Sequence, residues 1–162
     1  MTDRRAIAYV EKLASLGIDI EAREMDESTH TAQQAADAIG CPVEAIVKSL
    51  LFRAGDDFVL VLASGPNRVD TALVAGMVGA PVAMADAKSV KIVTGYSIGG
   101  VPPLGHARVL PTILDESLLR LPEVWAAAGS ANSVFPLAPD RLVELTGATV
   151  GRVSEIGARP RP

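Results

Sequence analysis

Two apolar runs, residues 46–53 and 58–63, stand either side of Gly55-Asp56-Asp57, and that arrangement limits the folds open to this chain more than any other feature. Runs of this length around a glycine- and aspartate-rich turn read as a β-hairpin. A hairpin demands antiparallel pairing, whereas the helix and strand signals around it interleave as they do in parallel sheets. The pattern predicts an α/β (α+β) chain, a single compact domain with a mixed sheet surrounded by helices, and it excludes a plain doubly wound fold.

The flanking signals fill in the elements. Ile7, Val10, Leu13 and Leu16 lie close to helical spacing, with Gly17 as the stop, so a helix is expected over residues 3–16. Residues 18–23 alternate as a short strand would. Ser28 to Thr31 offer caps for an alanine-rich helix through Ile39, and Cys41-Pro42 opens a helical turn. Asp70 and Asp86 are placed to cap helices over 71–78 and 87–94. Beyond residue 106 the pattern predicts a strand near 108–112, a short helix from Asp115, and strands over 124–128 and 133–137. Pro139 is well placed to start a helix to Thr146, before a last strand over 149–153. Residues 1–162 show no repeat or linker and read as one domain, with residues 155–162 expected to fray.

Composition excludes several classes. No run approaches the roughly 18 apolar residues of a membrane span, and the single cysteine, Cys41, rules out an internal disulfide. A cytoplasmic protein with no membrane partner is expected. The net charge of −4 argues against a broadly basic nucleic-acid surface. Any polyanion contact must therefore be local. Arg4, Arg5 and Lys12 near one end, and Lys88, Lys91 and Arg108 flanking residues 94–106, permit one.

Residues 94–106, Thr-Gly-Tyr-Ser-Ile-Gly-Gly-Val-Pro-Pro-Leu-Gly-His, hold four glycines and two prolines. Glycine admits close backbone approach, while proline fixes φ and withdraws an N–H. Two readings fit. The loop is a tight turn, or it is a stiff cradle whose N–H groups at Gly99, Gly100 and Val101 grip a carbonyl, carboxylate or phosphate oxygen. His106 at the loop exit either orients a substrate or hydrogen-bonds the loop. Ser130, Asn132 and Ser133 form a polar turn that either lines a pocket mouth or is loop structure.

Lys48 is the second informative residue. In a strand it shares a face with Ile46, Leu50 and Phe52, and a lysine on an apolar face needs a reason. It either snorkels to the sheet edge or offers its charge to a pocket. The usual catalytic sets are missing. His30, His106 and Cys41 are too few for a structural zinc site, and no nucleophile elbow or phosphate-binding glycine motif occurs. Cys41 reads as a small buried hydrophobe.

Lys48 within Ile-Val-Lys-Ser-Leu, followed some fifty residues later by Gly-Tyr-Ser-Ile-Gly-Gly-Val-Pro-Pro-Leu-Gly, resembles the YbaK-like aminoacyl-tRNA deacylases, relatives of the editing domain of bacterial prolyl-tRNA synthetase. The segments Thr29-His-Thr-Ala-Gln-Gln-Ala-Ala36 and Val124-Trp-Ala-Ala-Ala-Gly-Ser130 support it. The resemblance implies a mixed, barrel-like sheet and a trans-acting deacylase that frees tRNA, mainly that for proline, from a wrong small amino acid. It implies no metal, no cofactor and no fixed protein nucleophile. It implies Lys48, Gly99, Gly100 and Val101 as catalytic residues, with Pro102, Pro103, His30, His106 and Ser130 around the substrate. The partners implied are the 3′ end of aminoacyl-tRNA and prolyl-tRNA synthetase. Relatives that act on cysteinyl-tRNA carry serine where this chain has Pro102, so alanine, serine, cysteine and threonine all stay open. The alternative is a non-catalytic module that binds an amino acid or tRNA end beside a synthetase.

Overall fold

The computed structural model describes residues 2–25 and 31–155. Helix α1 (Arg4–Ser15) starts at Asp3, whose carboxylate accepts the N–H groups of Arg5 and Ala6, and it buries Ala6, Tyr9 and Leu13. The strand expected over 18–23 is reduced to β1 (Arg23–Glu24), with Ile18, Ile20 and Ala22 packed against the main core as extended chain. Alternation there reflects burial without a partner strand. Helix α2 (Ala32–Ile39) opens with a reciprocal capping box between Thr31 and Gln34 and closes on left-handed Gly40.

The hairpin forms as expected. Strands β2 (Val47–Ala54) and β3 (Asp57–Ser64) pair antiparallel from Val47↔Ser64 to Ala54↔Asp57. Gly55 turns the chain at φ 62°. Helix α3 (Thr71–Val78) and α4 (Ala87–Thr94) follow, capped by the Asp70 and Asp86 side chains. Between them the three-residue β4 (Val82–Met84) adds to the free edge of β2, an element too short to leave a sequence signal. The strand expected near 108–112 lies further on, at β5 (Thr112–Asp115). Pro111 cannot donate to a ladder, and its carbonyl instead receives the Leu60 N–H at 2.9 Å. A 3₁₀ turn (Glu116–Arg120) capped by Asp115 leads to β6 (Val124–Ala127) and β7 (Ser133–Leu137). Helix α5 (Pro139–Thr146) and β8 (Thr149–Gly151) complete the described fold.

A five-stranded sheet runs in the order β4-β2-β3-β5-β8, and a three-stranded sheet in the order β1-β7-β6. Pairing of β3 with β5 and of β5 with β8 is parallel, while the hairpin, β4 and the smaller sheet are antiparallel. The sheet is therefore mixed, as the hairpin required. It does not close into a barrel: among the described residues a single parallel bridge, Ile46↔Trp125, joins the two sheets.

Strand β3 is central, with Leu60 and Leu62 on one face and Val59, Val61 and Ala63 on the other, all buried. The first face meets Tyr9 and Leu13 of α1 and Val124, Ala126 and Phe135 of the smaller sheet. The second packs with Phe52, Ile113 and Val74 of α3. Alternation along β2 sends Val47 and Leu51 to the larger core, and Leu50 and Phe52 to the smaller one. Lys48 follows Leu50 and Phe52 in that alternation.

Candidate functional site

The loop after α4 is a succession of turns, most of whose polar groups can be traced to a partner. Gly95 ends the helix at φ 87°, its N–H on the Lys91 carbonyl. Buried Thr94 donates its hydroxyl to Val90 O at 2.7 Å and accepts the Tyr96 N–H at 3.0 Å. Gly100 then donates its N–H to Ser97 O at 2.9 Å, closing a four-residue turn. Gly99 is the third residue of that turn, at φ 93°, the conformation a type II turn demands there. This bond corrects the expectation of three free donors. The Gly100 N–H is consumed inside the loop, and among the described residues only those of Gly99 and Val101 in that trio have no partner.

Val101, Pro102 and Pro103 are buried. The prolines contribute carbonyls but no N–H groups, and side chains from elsewhere hold the carbonyls that follow. His106 Nε2 donates to Pro102 O at 2.7 Å, Tyr9 Oη to Leu104 O at 2.8 Å, and Lys12 Nζ to Gly105 O at 2.5 Å. A carbonyl only accepts, so the His106 proton sits on Nε2. Burial pushes that imidazole below the usual histidine range, against the pull of the Pro102 carbonyl, and keeps it neutral. Of the two roles read for His106, the structure shows the loop hydrogen bond.

Against the loop stands the turn after β6. A Cβ on Gly100 would lie 2.8 Å from Ser130 Cα and 2.9 Å from its carbonyl carbon, so the two backbones touch where only glycine fits. Ser130 is itself a junction. Its hydroxyl donates to the Asp3 carboxylate and lies 2.7 Å from Ser133 Oγ. That hydroxyl is the main reason the Asp3 carboxyl is held below its ordinary value. One residue thus ties α1, the 129–133 turn and the glycine loop together.

Beside this junction opens a cavity of about 350 Å³, lined among others by Lys48 and Ser49 of β2, Gly99 and Val101 of the loop, Trp125 and Ala131. Lys48 is half-buried, and its Nζ donates to Asn67 O at 2.6 Å. The Asn67 amide donates in turn to Asp115 Oδ2 at 2.8 Å, which also accepts the Ser64 N–H at 3.0 Å. Burial pushes the Lys48 ammonium below the usual lysine range, and the Asp115 carboxylate opposes that shift. The buried Asp115 carboxylate thus favours the charged form of a half-buried lysine that lines the cavity.

The structure brings Lys48, Gly99 and Val101 to one cavity. Gly100 and Ser130 instead line an adjoining cleft, and Pro102, Pro103 and His106 line neither. His30 lies outside the described residues. Cys41, expected as a small buried hydrophobe, is only partly buried: it packs against the small cluster of Ala35, Ala36 and Ile46, and desolvation there raises its thiol. Trp125 packs on that same cluster and lines the cavity as well. Among the described residues no group of histidine, cysteine and acidic side chains could hold a metal ion.

A family model described as the aminoacyl-tRNA editing domain matches residues 26–145. The chain belongs to that family. A solved structure of a candidate trans-editing enzyme for prolyl-tRNA synthetase superposes on it with a TM-score of 0.91 at 41% identity, over 96% of this chain and 99% of the other. YwhH of Bacillus subtilis, a protein without an established function, is 38% identical over 128 residues, 78% of this chain and 82% of its own. EbsC of Enterococcus faecalis, a candidate Cys-tRNA(Pro)/Cys-tRNA(Cys) deacylase, is 28% identical over 130 residues, 78% of this chain and 76% of its own. The editing-domain family is one of aminoacyl-tRNA deacylases, which are hydrolases.

Sequence reasoning missed Ser49. Its Oγ is buried without a hydrogen-bond partner, on the β2 face opposite Lys48, and the residue lines the cavity. The signal was present: alternation puts the neighbour of any strand residue on the other face, and that face is the one turned toward the larger core. It also missed Asn67, which no periodicity marks and which only the folded chain brings to Lys48.

Proposed function

We propose that this editing-domain chain hydrolyses, in trans, the ester of a wrongly attached small amino acid on tRNA, with tRNA for proline the first candidate. The observation that carries the reading is the shared cavity: Lys48 of β2 lines it together with Gly99 and Val101, the two loop residues whose backbone N–H groups have no partner among the described residues. Water adds to the ester carbonyl and the developing oxyanion accepts hydrogen bonds from Gly99 and Val101. The carbonyl carbon–ribose oxygen bond then breaks, the ribose oxygen takes a proton, and free amino acid and a 3′-terminal hydroxyl leave. Each such donor is worth about 3–4 kcal/mol in the transition state. Lys48 contacts the ester or the terminal nucleotide. The wall around the aminoacyl group is rich in alanine, valine and leucine, which suits a small, largely apolar side chain.

His106, Pro102 and Pro103 act on this model by holding the loop, and Gly100 by allowing it to close on Ser130. No helix among the described residues is long and apolar enough to cross a membrane, and the proposed setting is the cytoplasm, with prolyl-tRNA synthetase as the partner that supplies mischarged tRNA. The likeness to a candidate trans-editing enzyme for that synthetase supports the partner. The test is a deacylation screen of the purified chain on tRNA for proline charged with alanine, serine, cysteine, threonine or proline. Release of at least one wrong amino acid, with proline left attached, is expected. No release above the spontaneous rate, with and without the synthetase, would leave the non-catalytic binding module as the reading.

A further inference from the structure

Adjoining the cavity is a second cleft of about 290 Å³ whose walls come from α1, the end of α4 and the turn after β6. Arg5, Lys12 and Lys91 all line it, with Gly100 and Ser130 at its back. Three cations on one small concave surface stand out in a chain of net charge −4. None of the three forms an ion pair among the described residues, where the salt bridges are Arg141–Glu144 and Arg152–Glu155. Lys12 spends one donor on Gly105 O, and Lys91 makes a long contact of 3.4 Å to Gly95 O. Arg5 and Lys91 are exposed, and their remaining N–H groups face water. The Asp3 carboxylate, which feels the Arg5 charge, is already engaged by Ser130 and by the α1 backbone.

The two openings are contiguous, since Ile98 and Ala131 line both and the Gly99–Gly100 turn divides them. We propose that the cleft binds the phosphodiester group preceding the terminal nucleotide of the RNA 3′ end. A ligand held by its ester at Gly99 carries its next phosphate past this wall, and an arginine with two lysines is the donor set that suits it. The cleft concentrates the polyanion contact of an acidic protein at one place. This assignment rests on the cavity being the ester site, and the experiment separates the two.

Arg5→Gln, Lys91→Gln and the double variant serve as probes, because Lys12 also holds the loop and its removal would confuse the result. Thermal melting confirms that each variant folds, as expected of exposed side chains. Uncharged RNA ending in its natural 3′ CCA is then titrated by fluorescence anisotropy at several salt concentrations. The expected result is at least tenfold weaker binding by the double variant, with the slope of log K against log salt reduced by about 0.7 for each phosphate no longer neutralised. Where deacylation is measurable, KM on charged tRNA should rise several-fold with kcat little changed, and the defect should shrink on the aminoacyl ester of adenosine alone, which lacks that phosphate. The binding arm stands even if no ester is cleaved, so failure of the catalytic reading does not hide failure of this one. Wild-type affinity and slope in the double variant, or no measurable RNA binding by the wild-type chain, would overturn the cleft assignment.

Discussion

Gly100→Ala is the substitution whose effect the structure defines most sharply. The new Cβ would lie 2.8 Å, 2.9 Å and 3.1 Å from Ser130 Cα, C and N. Carbon atoms rest about 3.5–4.0 Å apart, so the loop and the 129–133 turn must separate by roughly 0.7 Å. Every atom in the clash is backbone, and no rotamer relieves it. Overpacking of this kind costs about 1–3 kcal/mol. In a chain of 162 residues each kcal/mol lowers Tm by about 2–4 °C, so a fall of about 2–12 °C is expected. Because Gly99 and Val101 flank the displaced residue, misplacement of the donors by up to 1 Å should cost on the order of a hundredfold in kcat. Gly151→Ala is the control. Its Cβ would meet Met77 Cε more closely still, and Met77 Sδ at 2.9 Å, but these are the tip of a flexible and partly exposed side chain that can swing aside. Thermal melting and single-turnover deacylation on the two variants test the reasoning. If Gly151→Ala proves the more destabilising, or if Gly100→Ala melts with wild type, rigidity of the contacting atoms is not what decides.

Lys48→Met should remove deacylation while changing stability by only about 1 kcal/mol, since it deletes one hydrogen bond to Asn67 O and one half-buried charge together; turnover near wild type would take Lys48 out of the site. With its folded value lowered, the Lys48 charge is lost on the alkaline side below the ordinary value of 10.5, so enzyme-catalysed turnover should fall as pH rises through that folded value. Stability should rise in the same window, because there the unfolded chain holds the proton that the folded chain has released. Ser49→Ala should leave Tm unchanged or raised, as it removes an unpartnered buried hydroxyl; a fall of several degrees would show that the hydroxyl is satisfied in the folded chain. For His106 the folded value is depressed below 6.5, so acidification below 6.5 charges the unfolded chain first and stability falls; His106→Gln should lose this component of the Tm profile on the acid side of pH 6.5, and an unchanged profile would refute the assignment.

Much of the fold was legible because its signals are local. Asp70, Asp86 and Pro139 mark the starts of α3, α4 and α5 by capping chemistry that acts within three residues, and the hairpin is fixed by its own turn. What failed was pairing over distance. Residues 18–23 alternate, yet only Arg23 and Glu24 find a partner, on β7 more than a hundred residues away. The short β4 exists because β2 has a free edge to fill, and nothing in Val82–Met84 itself announces it. Closure of the sheet was overestimated for the same reason: whether two edges meet depends on twist and strand length across the whole chain.

The candidate site divides along the same line, and the division shows what kind of loop this is. Glycines and prolines at 99–103 reveal that the backbone must approach something closely, but not what it approaches. For Gly100 the partner is Ser130 of the same chain, and its N–H serves the turn. A β-turn bonds only the N–H of its fourth residue, so closing the turn at Gly100 leaves the Gly99 N–H free. Among the described residues the Val101 N–H is unpartnered as well, and both residues line a cavity, while His106, Tyr9 and Lys12 hold the carbonyls beyond. Binding the carbonyls and sparing the donors orients the loop's remaining polarity in one sense, toward an electron-rich oxygen. The turn and the cradle, set against each other as readings of the sequence, are therefore two parts of one device: the turn at Ser97–Gly100 fixes the geometry in which the two remaining N–H groups are offered.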